Sequence, residues 1–170
     1  MLLYDRETES LWSQIKREAV AGPMTGTRLP PIPSTLTTWK RWRSLHPKTL
    51  VLSTETGFAR DYSTDPYENY HRSPFSFFGS AEKSPHLPEK ELVFGVEANG
   101  VKKAYPFSIL KDIGTPVKDT VAGKTIAVHF NKESEEVFAL DERGERVLGT
   151  VSYWFVWHSF HPDTLIYKKP

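Results

Sequence analysis

Six residues of one short stretch, Arg60, Asp61, Tyr62, Asp65, Tyr67 and Tyr70, bring charge, hydrogen-bonding groups and three aromatic rings within reach of a single ligand. Such a set is suited to binding. A guanidinium pairs with carboxylate or phosphate, carboxylates accept hydrogen bonds, and phenol rings stack. The same residues have plainer uses, because Asp65 before Pro66 is favourable turn chemistry and Arg60 can pair with neighbouring acids. Histidine offers a second chemistry. His46 and His161 each precede a proline, with His158 three residues before His161, and imidazole is the commonest metal ligand. Zinc needs four donors, or three in a catalytic site, and no His-x-x-x-His pair stands close by to complete a set. At a helix end, an imidazole caps the last carbonyls and its cation suits the helix dipole, which explains both residues with no metal. No cofactor is expected.

The chain has no cysteine, which removes disulfides, thiolate ligands and a thiol nucleophile. Gly-x-Ser-x-Gly, a phosphate loop, Gly-x-Gly-x-x-Gly and His-Glu-x-x-His are also absent. Asp5, Glu7 and Glu9 gather near the start, where they read as a solvated hairpin turn. An acid–base pair formed only in the fold stays open.

The elements that must position these groups show a repeated phrase. "WKRWRSLHPKTL" at 39–50 and "WFVWHSFHPDTL" at 154–165 share Trp, Trp, Ser, His, Pro, Thr and Leu at the same spacing, 115 residues apart. Trp at i and i+3 falls on one helical face, and each ring buries about 150–250 Å² when it anchors a core. The proline after each histidine stops the helix. Thr37 or Thr38 is a candidate cap for the first helix and Thr150 or Ser152 for the second. Around these helices the chain reads as strands. "LLYD-RETE-SLWSQI" is a hairpin, and "TLVLS" at 49–53 is a buried strand. "ELVFGVEA-NG-VKKAYPF" carries the Asn-Gly signal of a type I′ hairpin. "SILKD" is one helical turn, and "KTIAVHF", "EVFALD" and "ERVLG" are successive strands before the final helix and strand.

The expected fold is therefore α+β and mainly antiparallel, with two related halves, 1–53 and 91–170, each closed by a short Trp-rich helix. Residues 54–90 join them as an aromatic connecting loop lying against both, the whole packed as one unit. A loop of that length in a compact domain is usually functional or disordered, and Tyr62, Tyr67, Tyr70, Phe75, Phe77 and Phe78 make it too aromatic for disorder.

Lys and Arg number 22 against 21 Asp and Glu, a balance that gives no electrostatic reason to expect nucleic acid or an anionic membrane. No apolar run approaches the roughly 20 residues of a membrane span. The first residues lack a signal-peptide core, so a cytoplasmic protein is expected from the sequence as it stands.

Read in order, "LLYDRETESLWSQ", "AVAGPMTGTRL", "TTWKRWRSLHPKTLVLS", "TGFARDY", "DPYENY" and "GVKKAYPF" resemble the bacterial and archaeal proteins of the domain of unknown function family 3179, over nearly the whole chain. The resemblance implies no assigned activity. It implies export, because family members begin with a leader and a module holding a Tyr-Cys-Pro-Leu-Cys phrase. "GVEANGVKKAYPF…DTVAGKTIAVHF" is similar to that module, with "HFN" in place of the cysteines. It also implies an open strand edge at the N-terminal hairpin and hence self-association. Two functions are expected. The first is a non-enzymatic module binding a small molecule or partner near residues 60–71. The second is a metal-dependent or redox enzyme using His46, His161 and loop carboxylates, completed by an upstream cysteine segment.

Overall fold

A computed structural model of the protein describes residues 2–74 and 86–169. Phe75, Phe77 and Phe78 lie outside the described residues. The architecture is α+β, with three small, mostly antiparallel sheets and four short helices among the described residues.

The N-terminal sheet runs β1 (Leu2–Asp5), β2 (Ser10–Ser13) and β3 (Glu18–Ala21), in that order and antiparallel. The β1–β2 turn is built by Asp5, whose carboxylate accepts from the Glu7 N–H and the Thr8 hydroxyl. These bonds favour the charged form and hold the Asp5 carboxyl below its ordinary value. Next come α1 (Trp39–Leu45), capped by Thr38 as its sequence suggests, and α2 (Glu68–Arg72).

The central sheet is built on the hairpin of β4 (Leu92–Ala98) and β5 (Val101–Pro106). Asn99 and Gly100 both have positive φ, at 47° and 80°, as the two-residue turn requires. Period-2 alternation sends Phe94, Val96 and Tyr105 to one face and Val93, Gly95 and Ala104 to the other. The first face packs on α3 (Phe107–Asp112) and on the third sheet, the meander β6 (Val117–Val121), β7 (Lys124–Asn131), β8 (Glu136–Asp141) and β9 (Arg146–Val147). β6 and β7 are joined by Ala122-Gly123, again with both φ positive. The Asn99 side-chain amide donates to the Ala122 carbonyl at 2.9 Å, tying the two hairpin tips together.

β10 (Gly149–Tyr153) pairs with β4 on one edge of the central sheet, and β11 (Leu165–Ile166) pairs with β5 on the other, parallel. Between them α4 (Trp154–Phe160) lies across the second face, burying Trp154 and Trp157 on Val93 and Ala104. Thr150 and Ser152, expected as helix caps, instead lie in β10. The strand runs directly into the helix, whose N-cap residue Tyr153 makes no side-chain cap bond. The N–H donors of Trp154 and Phe155 go to the carbonyls of Glu91 and Glu89, so the incoming chain satisfies the helix start instead of a hydroxyl.

Two expectations fail in the first half. "TLVLS" is not a strand, and Leu50, Val51 and Leu52 stand 95%, 68% and 96% exposed. Nor do Trp39 and Trp42 anchor a core, at 50% and 41% exposed. Both failures have one cause, the lack of a sheet under α1 among the described residues. The connecting segment meets the body at Leu87, which packs on the Trp154 cluster, at the Glu89 carbonyl, which accepts from the Phe155 N–H, and at α2, where the Tyr70 ring meets Tyr153 edge-on at 6.5 Å.

Candidate functional site

Among the described residues a concavity lies between the β2–β3 turn of the N-terminal sheet and the tip of the β4–β5 hairpin, on the side that α4 covers farther along. The two-residue turn fixes Glu97 opposite Lys102, and both project to the α4 side, as alternation from Val93 and Ala104 dictates. From the other side, the β2–β3 turn presents Arg17, a non-glycine residue at φ 60°. That turn is held by the Arg17 N–H donating to the Ser13 carbonyl at 2.8 Å and by Leu29 N–H donating to the Arg17 carbonyl at 2.8 Å. Arg17 bonds Glu97 at 3.0 Å across the gap. The resulting cleft, about 440 Å³, is also lined by Lys16, Arg28, Lys102 and His161. A wider groove continues from it along residues 29–36 to Gly95 and Trp157.

His161 owes its place to the end of α4. Its backbone N–H caps the helix through the Trp157 and His158 carbonyls, and its ring packs on the Trp157 indole, centroids 4.3 Å apart. The cap is thus made by the backbone, not by the imidazole as expected, which leaves the ring available to the cleft. Burial lowers its pKa, and the cations Lys102 and Arg17 act in the same direction against an opposing effect of Glu97. Burial and the two cations thus favour the neutral imidazole, which has one donor and one acceptor nitrogen. Four cationic side chains against Glu18 and Glu97 leave the cleft with excess positive charge.

The structure does not gather the residues singled out in the 60–71 loop. Arg60 is exposed. Asp61 closes its own turn, accepting from the Ser63 hydroxyl, the Thr64 hydroxyl and the Ser63 N–H, and these bonds lower its pKa to about 2. Tyr62 hydrogen-bonds Thr56 at 2.7 Å. Asp65 accepts from the Tyr67 N–H at 2.8 Å and stands 3.9 Å from His71. Tyr67 is 62% exposed, and Tyr70 lies against Tyr153. Burial raises the Tyr70 pKa, and Tyr153 and Glu89 add to it. None of the six lines the cleft.

Of the three histidines singled out from sequence, His161 alone lines the cleft. His46 stacks on Trp42 at 4.1 Å and His158 on Trp154 at 5.1 Å. Among the described residues, no group of three His, Asp or Glu side chains is placed to hold a metal ion. No helix among them is long and apolar enough to cross a membrane. A second polar cluster joins the central and third sheets. Asp119 on β6 accepts from Lys103 at 2.6 Å and from the Tyr105 hydroxyl at 2.7 Å. Burial alone would raise the Asp119 pKa, but those bonds and the Lys103 charge outweigh it and hold the carboxyl below its usual value. Burial and the Asp119 bond push the Tyr105 phenol far up.

The family model for the protein of unknown function family DUF3179 matches residues 1–146. The chain belongs to that family. The match covers the N-terminal sheet, the hairpin and the meander as far as β9, and it stops before β10, α4 and His161. No curated protein and no solved structure matches the sequence. DUF3179 membership brings no activity with it, so the chemistry rests on the geometry of this chain. Arg17, Glu97 and Lys102 were not singled out from sequence. The Glu97–Lys102 pairing was nonetheless implicit in the Asn-Gly turn, which fixes its register.

Proposed function

We propose that the protein is a non-enzymatic binding module whose cleft between β3 and the β4–β5 hairpin takes a small anionic molecule, a carboxylate or a phosphate ester. The observation that carries this reading is the set Lys16, Arg17, Arg28 and Lys102 around a partly buried His161. Cations gathered around one concavity raise the local concentration of an anion, and the Arg17 guanidinium has donors beyond those used on Glu97. The metal-dependent or redox alternative has less support, since His46 packs on its own helix away from this cleft. Titrating labelled protein with citrate or inorganic phosphate tests the proposal. The expected result is a saturable shift of the His161 ring signals, weakened at least tenfold in Lys102→Gln and by added salt. A shift equally strong in Lys102→Gln, or none at all, overturns it.

A second reading places an aromatic or cationic ligand on the 60–71 loop. It draws on the half-exposed rings of Tyr62 and Tyr67 and is checked by the loss of binding in a Tyr62→Ala, Tyr67→Ala variant. Self-association through the outer edge of β1, which pairs only with β2 among the described residues, is proposed as a further property. It is measured by sedimentation at rising concentration.

A further inference from the structure

We propose that the ligand of the cleft is amphipathic, a single alkyl chain with an anionic head, the head held by the cations and the tail lying in the groove that continues from them. The inference rests on the anion reading of the cleft and adds what the other end of the molecule must be.

The charge of the lining changes along the site. Lys16, Arg17, Arg28 and Lys102 surround the cleft. The groove shares Arg17, Glu97 and His161 with it, and beyond those three no charged side chain lines the groove among the described residues. In a chain of which 25% is charged, so long a wall without a charge divides the site into a charged end and an uncharged one. Small-molecule sites have this character, mostly apolar with a few polar groups that fix orientation.

Both walls follow from the sequence. One is the segment 29–36, which begins where the Leu29 N–H donates to the Arg17 carbonyl and runs on through Pro30, Pro31 and Pro33. Proline fixes φ and carries no N–H, so this wall is stiff and poor in backbone donors. Leu29 and Leu36, 42% and 49% exposed, stand at its two ends. The other wall belongs to the central sheet, where Gly95 of β4 pairs with Thr150 of β10. Gly95 has no side chain to raise above the sheet, and the Trp157 ring fills the place a Cβ would take. An apolar ring thus forms part of the groove.

The same walls argue against a peptide. An extended peptide binds by adding a strand through backbone hydrogen bonds, and the three prolines remove donors from the segment it would lie along. An alkyl tail needs no such partners. The groove offers about 980 Å³, at the upper end of the roughly 300–1,000 Å³ of small-molecule sites. A fully buried methylene is worth about fourfold in affinity, so one half covered in an open groove is worth about twofold.

The test titrates the 15N-labelled full chain with inorganic phosphate, butyl phosphate and octyl phosphate, the esters held below their micelle concentrations. All three should shift the His161 ring signals. Octyl phosphate should bind about tenfold tighter than butyl phosphate, and it alone should move the Gly95 and Thr150 amides. Leu36→Gln, a change at an exposed position, should cut that advantage about threefold and leave inorganic phosphate binding as it was. If octyl phosphate binds no tighter than butyl phosphate, the proposal falls and the anion reading of the cleft stands. If none of the three binds, both fall. An advantage undiminished in Leu36→Gln puts the tail outside the groove and overturns the proposal. So does a protein that ignores monomeric octyl phosphate yet sediments with phosphatidic acid vesicles, because the occupant would then be a membrane surface.

Discussion

Helices α1 and α4 carry the same Trp-x-x-Trp spacing, the same His-Pro stop and the same indole-to-threonine bond, yet one indole pair is sealed against a sheet while the other faces solvent. Local sequence therefore determines the helix, its cap and the turn that follows it. Burial is decided elsewhere, by residues far off in the chain that put Val93, Gly95 and Ala104 beneath α4, with no equivalent under α1 among the described residues. A motif of apolar residues marks a surface that can be buried, not a surface that is.

The comparison is broken most directly by truncating the matched rings. Trp157→Ala should destabilise by about 3–5 kcal/mol, the range for removing a fully buried aromatic side chain, read from chemical denaturation. If it costs no more than the same change at position 42, the two helices do not differ as described. Asp119→Asn tests the sheets that α4 rests upon. It takes a partner from Lys103 and Tyr105 in a site where all three are largely buried, with an expected cost of about 3 kcal/mol. Because the folded-state pKa of Asp119 is depressed, its contribution is present above the ordinary carboxylate value and is lost as pH falls through the folded value. The variant should therefore show a flatter acid limb in a pH series of unfolding midpoints, and an unchanged limb would remove Asp119 from the account. Gly95→Ala sharpens the packing argument, since the new methyl meets the Trp157 ring at 2.3 Å. Overpacking of this kind costs about 1–3 kcal/mol, visible as a lower thermal midpoint. The smallest effect belongs to Trp42→Ala. With no core behind it, its cost should stay below about 1 kcal/mol, and a larger loss would mean that α1 is buried in solution.

The hairpins were legible because their signals are local. Asn99-Gly100 announced both the turn and, through it, the Glu97–Lys102 register. β6 was not recognised as a strand, because Ala122-Gly123 reaches the same two positive φ angles without an asparagine to advertise it. β10 was mistaken for the approach to a helix, since Thr150 and Ser152 look like caps. Only the pairing with β4, over fifty residues away, makes that segment a strand. The candidate cleft was illegible for a similar reason. Arg17, Lys102 and His161 belong to three separate elements and meet only when the N-terminal sheet docks. In the loop at 60–71, Asp61 and Asp65 direct their oxygens to neighbouring backbone and hydroxyl groups, while the rings of Tyr62 and Tyr67 stay about half exposed.

The central sheet has one further property. Both of its outer strands, β10 and β11, come from residues 149–166, with α4 strapped over the face between them. During synthesis, the β4–β5 hairpin therefore emerges long before anything can flank it. The meander β6–β9 can close as soon as it leaves the ribosome, but the hairpin's free face and both its edges wait for the last stretch of the sequence. For that interval, a nascent chain shows Val93, Gly95 and Ala104 to whatever is nearby, and a chaperone that recognises exposed strands would have its window there.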